Sequence, residues 1–229
     1  MKRVLIILAA CLVCGITNAQ VGSWEIQIRR THGVNETGTG YITINGDGTV
    51  LGYSLTTLTF GVATYSGTWS IGAKDTILVM FTEALNGQSA PGTIVGKFST
   101  KSLRGKATFG DGRTYTFNGK PLALMLDASG NWAGTVREAG QTVVESFTAT
   151  ANPDFSGVFD FSGLVGGSLT ATGQVIVASS GVVSGYSLTE TGGGLLATIS
   201  GRVNPTSGTL TIRGVDQNGV KLTGKFLKQ

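Results

Sequence analysis

The chain has 229 residues with 17 basic and 13 acidic side chains; charged residues make up only 13% of it, while glycine fills 36 positions. So even a charge balance, a formal net +4, argues against a nucleic-acid surface, and a single histidine excludes a His-rich metal site. Both cysteines, Cys11 and Cys14, lie near the N-terminus, so the remainder of the chain has no disulfide, thiolate nucleophile or Cys-ligated metal.

Residues 1–19 read as a secretory signal: Lys2 and Arg3 precede an apolar run from Val4 to Val13, and Thr17-Asn18-Ala19 supplies small residues where a signal peptidase cuts. Cleavage there starts the mature chain at Gln20, removes both cysteines and lowers the charge to +2, from 15 basic against 13 acidic residues. The protein is therefore expected to be secreted, periplasmic or cell-surface. A second reading takes Leu8-Ala9-Ala10-Cys11 as a lipoprotein cleavage site with the anchor on Cys11, at the expense of a very short apolar core, Val4 to Ala10. No later run approaches the roughly 18 apolar residues of a membrane helix.

From Gln20 onward the hydrophobic pattern has period two, the mark of half-buried strands. Trp24, Ile26 and Ile28 alternate with Glu25, Gln27 and Arg29; Ile42 and Ile44, Tyr53 and Leu55, and Tyr115 and Phe117 continue the pattern. Between them lie NGDG at Asn45 to Gly48, GDG at Gly110 to Gly112, NPDFSG at Asn152 to Gly157 and DQNG at Asp216 to Gly219. Gly, Asn and Asp in these places supply the backbone conformations of tight hairpins.

The pentapeptide GYSLT occurs at Gly52 to Thr56 and again at Gly185 to Thr189, an offset of 133 (185 minus 52). The match extends outward: YITINGDGTVLGYSLT faces QVIVASSGVVSGYSLT, VATYSGTWS (Val62 to Ser70) faces LATISGRVN (Leu196 to Asn204), and Thr76 to Val79 faces Thr209 to Ile212. IVGKF (Ile94 to Phe98) then faces LTGKF (Leu222 to Phe226). Several strands matched in one order indicate a duplicated strand-turn-strand meander. The fold expected is all-β: two tandem antiparallel meander units, residues 20–120 and 121–229, each a small closed or nearly closed barrel. One larger barrel or sandwich built by both halves is the alternative.

Each half opens with Gly-x-Trp, at Gly22-Ser23-Trp24 and Gly130-Asn131-Trp132, and an Asp-Gly hairpin, Asp47 to Tyr53, follows in the first. These features resemble the calycin-type up-and-down barrels, the lipocalin and avidin group, in which the tryptophan of the first strand plugs the barrel end. The resemblance implies an up-and-down barrel and carries over no ligand residue. Because duplicated strands keep the same inward parity, Trp24 and Trp132 are expected at equivalent buried places, and Tyr53 and Tyr186 at a second equivalent pair. The second half holds about 25 additional residues between Trp132 and Gln174.

Chemistry is sparse. His32 falls in the turn-like THGVNETG, and there is no Gly-x-Ser-x-Gly elbow, so a solvated loop histidine is expected there. Asp47, Asp111 and Asp216 sit in tight turns, as caps for backbone N–H groups. Glu25, Glu36, Glu83, Glu138, Glu145, Asp154, Asp160 and Glu190 remain as a pool for a carboxylate-based, glycan-active enzyme, which needs an acid and a base roughly 5 to 9 Å apart. Nothing in the sequence selects two of them. NGDG supplies too few oxygens for a Ca²⁺ loop.

Lys97, Lys101, Arg104, Lys106, Arg113 and Lys120 face only Asp111 in their segment. The first five are the candidate binding residues, a basic patch able to meet an acidic glycan, lipopolysaccharide or a membrane surface; keeping a sheet soluble and guarding its edges is the commoner use of such residues. Trp24, Trp69 and Trp132 have the parity of core residues, not of sugar-stacking platforms. The function expected is an exported, non-catalytic binding or structural module without cofactor or metal, its partner a glycan, a cell-surface component or a small apolar ligand. A glycan-active enzyme and a small outer-membrane barrel are the alternatives, the latter disfavoured because its strands need roughly 9 to 11 residues and most runs here are shorter.

Overall fold

The computed structural model describes residues 21–58, 60–73, 76–165, 169–189 and 195–229; the expected leader, Cys11 and Glu190 lie outside them. The described chain is all-β. Strands β1 (Gly22–Arg30), β2 (Thr37–Ile44), β3 (Thr49–Thr56), β4 (Ala63–Ile71), β5 (Thr76–Leu85), β6 (Gln88–Phe98), β7 (Leu103–Phe109) and β8 (Thr114–Pro121) form one barrel. Strands β9 (Gly130–Glu138), β10 (Gln141–Ala151), β11 (Val158–Val165), β12 (Leu169–Val177), β13 (Val182–Thr189), β14 (Leu195–Asn204), β15 (Thr209–Asp216) and β16 (Lys221–Lys228) form a second. Each barrel runs up and down in chain order and closes on itself, β1 pairing with β8 and β9 with β16. No ladder passes from one barrel to the other, which rules out a single larger barrel.

An eight-stranded barrel is just wide enough to be filled by its own side chains, and period two decides which ones. Trp24, Ile26, Ile42, Val79, Phe81, Phe109 and Phe117 fill the first interior; Trp132, Val136, Phe159, Val203, Leu210 and Phe226 fill the second. Outward positions carry Gln27, Arg29, Thr116, Asn118, Arg213, Thr223 and Lys225. Strands run longer than the sequence runs suggested, up to 11 residues in β6 and β10, because ladder pairing continues through Gly, Ser and Thr. The interior rows are apolar, and the outward positions mix polar residues with exposed Leu78, Met80, Val95 and Val144.

The hairpins use the expected turn chemistry. In the β2–β3 turn, Gly48 has φ +89°, a conformation open to glycine at little cost, and Asp47 Oδ1 accepts from the backbone N–H of Thr49 at 2.9 Å. Asp111 and Asp216 repeat the arrangement on Arg113 and Asn218.

The repeat has an unexpected frame. GYSLT lies on β3, third in its barrel, and on β13, fifth in the other, so β2 to β6 correspond to β12 to β16. In the second half the strands β9 and β10 precede the matched ones and take the places that β7 and β8 hold in the first barrel. Following the ladders, Trp24 stands opposite Ile42 and Phe159 opposite Val175, and Ile42 and Val175 are matched repeat positions. The counterpart of Gly22-Ser23-Trp24-Glu25-Ile26 is therefore Gly157-Val158-Phe159-Asp160-Phe161, not the segment around Trp132. Trp24 and Trp132 are both buried, but at different places in the repeat. A closed meander has no intrinsic first strand, so a unit that begins at another strand builds the same barrel. Tyr53 and Tyr186 do hold matched places.

Those tyrosines lie on the seam where β2 and β3 meet β12 and β13, the same strands of the two repeats. Tyr41, Leu55, Val158, Ile176 and Tyr186 form its buried apolar cluster. Tyr41 Oη donates to the Val177 carbonyl at 2.9 Å and Tyr53 Oη to that of Ser156 at 2.7 Å, while the Gly61 N–H donates to Tyr186 Oη at 2.8 Å. Glu25, on the outward face of β1, is buried here and accepts from the Ser179 N–H at 2.7 Å, with Lys120 Nζ 3.5 Å from its other oxygen.

Candidate functional site

In both barrels the interior row of each strand ends, at the end bearing the β1–β2 or β9–β10 turn, on polar residues. In the first barrel the row Trp24, Ile26, Ile28 finishes at Arg30, Val79 and Phe81 lead to Glu83, and Phe117 and Tyr115 lead to Arg113. Arg113 Nη2 lies 2.7 Å from Glu83 Oε2 and its Nε 2.6 Å from Asp111; Arg30 lies 3.4 Å from Glu36. Tyr115 donates to Glu36 at 3.0 Å, Tyr65 to Glu83 at 3.4 Å, and Thr56 to the second Glu36 oxygen.

Burial disfavours the Arg113 cation, but its bonds to Glu83 and Asp111 outweigh that and raise its pKa. Burial, reinforced by the Glu36 carboxylate, pushes Tyr115 up to about 12. Below this network Tyr65, Phe81, Phe109 and Tyr115 meet edge to face in a chain, and only about 60 Å³ stays empty. The end is closed, and each buried carboxylate has a cation.

The second barrel is different. Trp132 closes its far end, donating Nε1 to the Ala128 carbonyl at 3.1 Å and stacking on Phe147 with centroids 6.3 Å apart. Above it, Ala149, Ala171 and Ala197 point inward between Phe147, Phe159 and Phe161, and their small side chains leave an apolar cavity of about 150 Å³.

The mouth of this cavity carries Glu138, Glu145 and Asp216. Glu138 ends the inward row Trp132, Gly134, Val136 of β9. Glu145 takes an inward place on β10 between Val143 and Phe147, and Asp216 ends β15, fixed by the N–H groups of Asn218 at 2.9 Å and Val220 at 2.6 Å. Burial, then the Glu138 charge, raises the Glu145 carboxyl to about 7. Glu138 is raised by burial and then by the nearby Asp216 carboxylate. Asp216 is lowered: burial works against its charge, but the Val220 and Asn218 bonds and that from Glu138 prevail. Among the described residues the second barrel has no salt bridge.

The sequence contained this site without displaying it. Glu138 and Glu145 stood in the pool of unassigned carboxylates, and Asp216 was read as a turn cap, which it also is. The available signal was parity: an acid in the apolar row of a strand, as in Val143-x-Glu145-x-Phe147, faces the interior.

The basic residues divide. Lys97, Arg104 and Lys106 share the outer face of β6–β7, Lys97 directly opposite Arg104, with Lys101 exposed in the turn between. Arg113 leaves that group, because its position in the Tyr115, Phe117 row turns it into the barrel end. His32 is exposed. Trp24, Trp69 and Trp132 are all buried.

No family model matches the chain, and no curated protein matches it. Solved structures to which the chain is similar include a DUF3598-family protein of unknown function from Nostoc punctiforme (13% identity over 93% of this chain and 97% of that one, TM-score 0.28). Others are Aeromonas veronii immune modulator A (11%, 90% and 94%, TM-score 0.29) and Burkholderia oklahomensis agglutinin (9%, 93% and 100%, TM-score 0.22). The chain is similar to these at a level that carries no argument about function; the geometry of the barrels has to supply it.

Proposed function

We propose that the protein is an exported, non-catalytic binding module whose second barrel takes up a small apolar molecule. The observation that carries this reading is the cavity of about 150 Å³ in the second barrel, set against about 60 Å³ in the first. A dry apolar cavity near 150 Å³ is large enough to bind benzene, and hollow barrel interiors are common ligand sites. Export rests on the leader read at residues 1–19; N-terminal sequencing of protein recovered outside the cytoplasm should begin at Gln20, and a blocked, lipidated Cys11 would replace that with the anchored form. We assign the outer strip of Lys97, Lys101, Arg104 and Lys106 to solubility of the β6–β7 face.

The test is titration with benzene, toluene and benzyl alcohol, read by the fluorescence of Trp132 on the cavity floor and by chemical-shift changes at Phe147 and Phe161. Saturable binding that Ala197→Phe abolishes, with the barrel still folded by circular dichroism, is the expected result. No saturable binding, or binding untouched by Ala197→Phe, overturns the reading.

A further inference from the structure

The geometry points to a guest that carries a cation: a primary or secondary amine on a compact apolar body of about benzylamine size, its ammonium held between Glu138, Glu145 and Asp216. This inference rests on the second-barrel cavity as a binding site and specifies its ligand class.

The argument begins with the two barrel ends. In the first barrel the acids Glu36 and Glu83 face the interior, and the chain supplies a guanidinium to each, from Arg30 and Arg113. In the second barrel the inward row of β9 ends on Glu138, and Asp216 holds the repeat place of Glu83, at the offset of 133 (216 minus 83). Glu145 and Asp216 join it at the same mouth, and no lysine or arginine pairs with any of the three among the described residues. A carboxylate in a partly desolvated site is costly unless a cation or hydrogen-bond donors meet it.

The mutual effects of the three acids fit an incomplete site. All three line one cavity, Glu138 and Glu145 on the adjacent strands β9 and β10, and Glu138 raises Glu145 as Asp216 raises Glu138. Their common neighbour is the opening of an apolar chamber. A guest whose ring or short alkyl body fills the chamber and whose ammonium emerges at the mouth satisfies both halves of the site. It brings the positive charge that Arg30 and Arg113 bring to the first barrel, and an ammonium has three N–H donors to share among three carboxyl groups.

Other guests fit less well. A carboxylic acid or phosphate would meet like charge. A bare metal ion would leave the chamber empty, and among the described residues no set of His, Cys, Asp or Glu is placed to hold one. A neutral apolar molecule fills the chamber but leaves the carboxylates as they are.

The experiment compares benzylamine, benzyl alcohol and benzoate by calorimetry at about pH 8, where a carboxyl near 7 is largely ionised. Wild-type protein, Glu138→Gln, Glu145→Gln and the double variant are used. Charge-assisted hydrogen bonds predict at least about tenfold tighter binding of benzylamine than of benzyl alcohol, with benzoate weakest. In the double variant that preference should collapse to near parity, with circular dichroism showing the barrel intact.

Equal or tighter binding of benzyl alcohol by the wild type overturns the cation and leaves the cavity reading standing. An amine preference that survives in the double variant overturns it too. If none of the three compounds binds, the cavity reading fails and takes this inference with it.

Discussion

Removing the guanidinium of Arg113 should expose how the first barrel is held closed. Its Nη2 is 2.7 Å from Glu83 Oε2, the Glu83 side chain is only 7% exposed, and the guanidinium carbon stands 4.5 Å over the Phe109 ring. Arg113→Met keeps an apolar stem of similar length but leaves Glu83 with only the long hydrogen bond from Tyr65, at 3.4 Å, among the described residues. Breaking a buried pair from one side costs about 3 to 5 kcal/mol, whereas replacing both partners by apolar residues is often close to neutral. At roughly 2 to 4 °C per kcal/mol for a chain of this size, Arg113→Met should melt on the order of 10 °C below the parent. Arg113→Met with Glu83→Met should recover most of that loss. Thermal melts of the parent, both single variants and the double variant complete the cycle. A double variant that falls by the sum of the two single losses would refute the reasoning, because it would mean that the residues act separately and that the end is not closed by their pairing.

Trp132→Ala and Trp24→Ala should each cost about 3 to 5 kcal/mol by chemical denaturation, as large buried aromatics do, while Arg104→Ala on the outer face stays within about 0.5 kcal/mol of the parent. Glu145 gives a pH dependence of defined sign. Its carboxyl is raised from 4.5 to about 7, so the folded state holds a proton that the unfolded state has released, and stability falls as pH climbs through that window. Glu145→Gln should flatten the fall and be the more stable protein above pH 7, by about 1 kcal/mol once solvent screening of this half-exposed group is discounted. Denaturant titrations at several pH values check it.

Legibility of the sequence depended on which physical rule was at stake. Period two and the Asp-Gly turns are local, so strands, hairpins and the inward row Trp24, Ile26, Ile28 could be read directly. The repeat was visible, but its frame was not: Gly-x-Trp suggested that Trp132 matches Trp24, and only the pairing of β1 with β2 and of β11 with β12 shows Phe159 in that place. Closure makes the starting strand arbitrary, and closure is not a local property. Glu25 has the parity of an outward, solvated residue and is buried because the other barrel covers it. Glu138, Glu145 and Asp216 are up to 78 positions apart (216 minus 138) and meet only because β9 lies between β10 and β16 while β15 is the strand beyond.

The two barrels share an outer ladder and differ inside, and the difference has a stability consequence. Backbone pairing fixes a closed meander whatever fills it, so interior residues are free to diverge after duplication. The first barrel spends that freedom on aromatics and ion pairs. The second keeps Ala149, Ala171 and Ala197 and about 90 Å³ more empty space (150 minus 60). At about 24 cal/mol per Å³ of cavity, that space costs roughly 2 kcal/mol. Loss of stability retained at a functional site is the usual trade, and it can be reversed here. Ala197→Val adds two methyl groups toward the chamber, and at about 0.8 kcal/mol per buried carbon it should stabilise the chain by about 1 kcal/mol while weakening benzene or benzylamine binding. A melt of the apo protein and a titration of the same sample measure both. A variant that is destabilised as well as weakened would show the interior to be packed already, and the cavity would then be neither a cost nor a site.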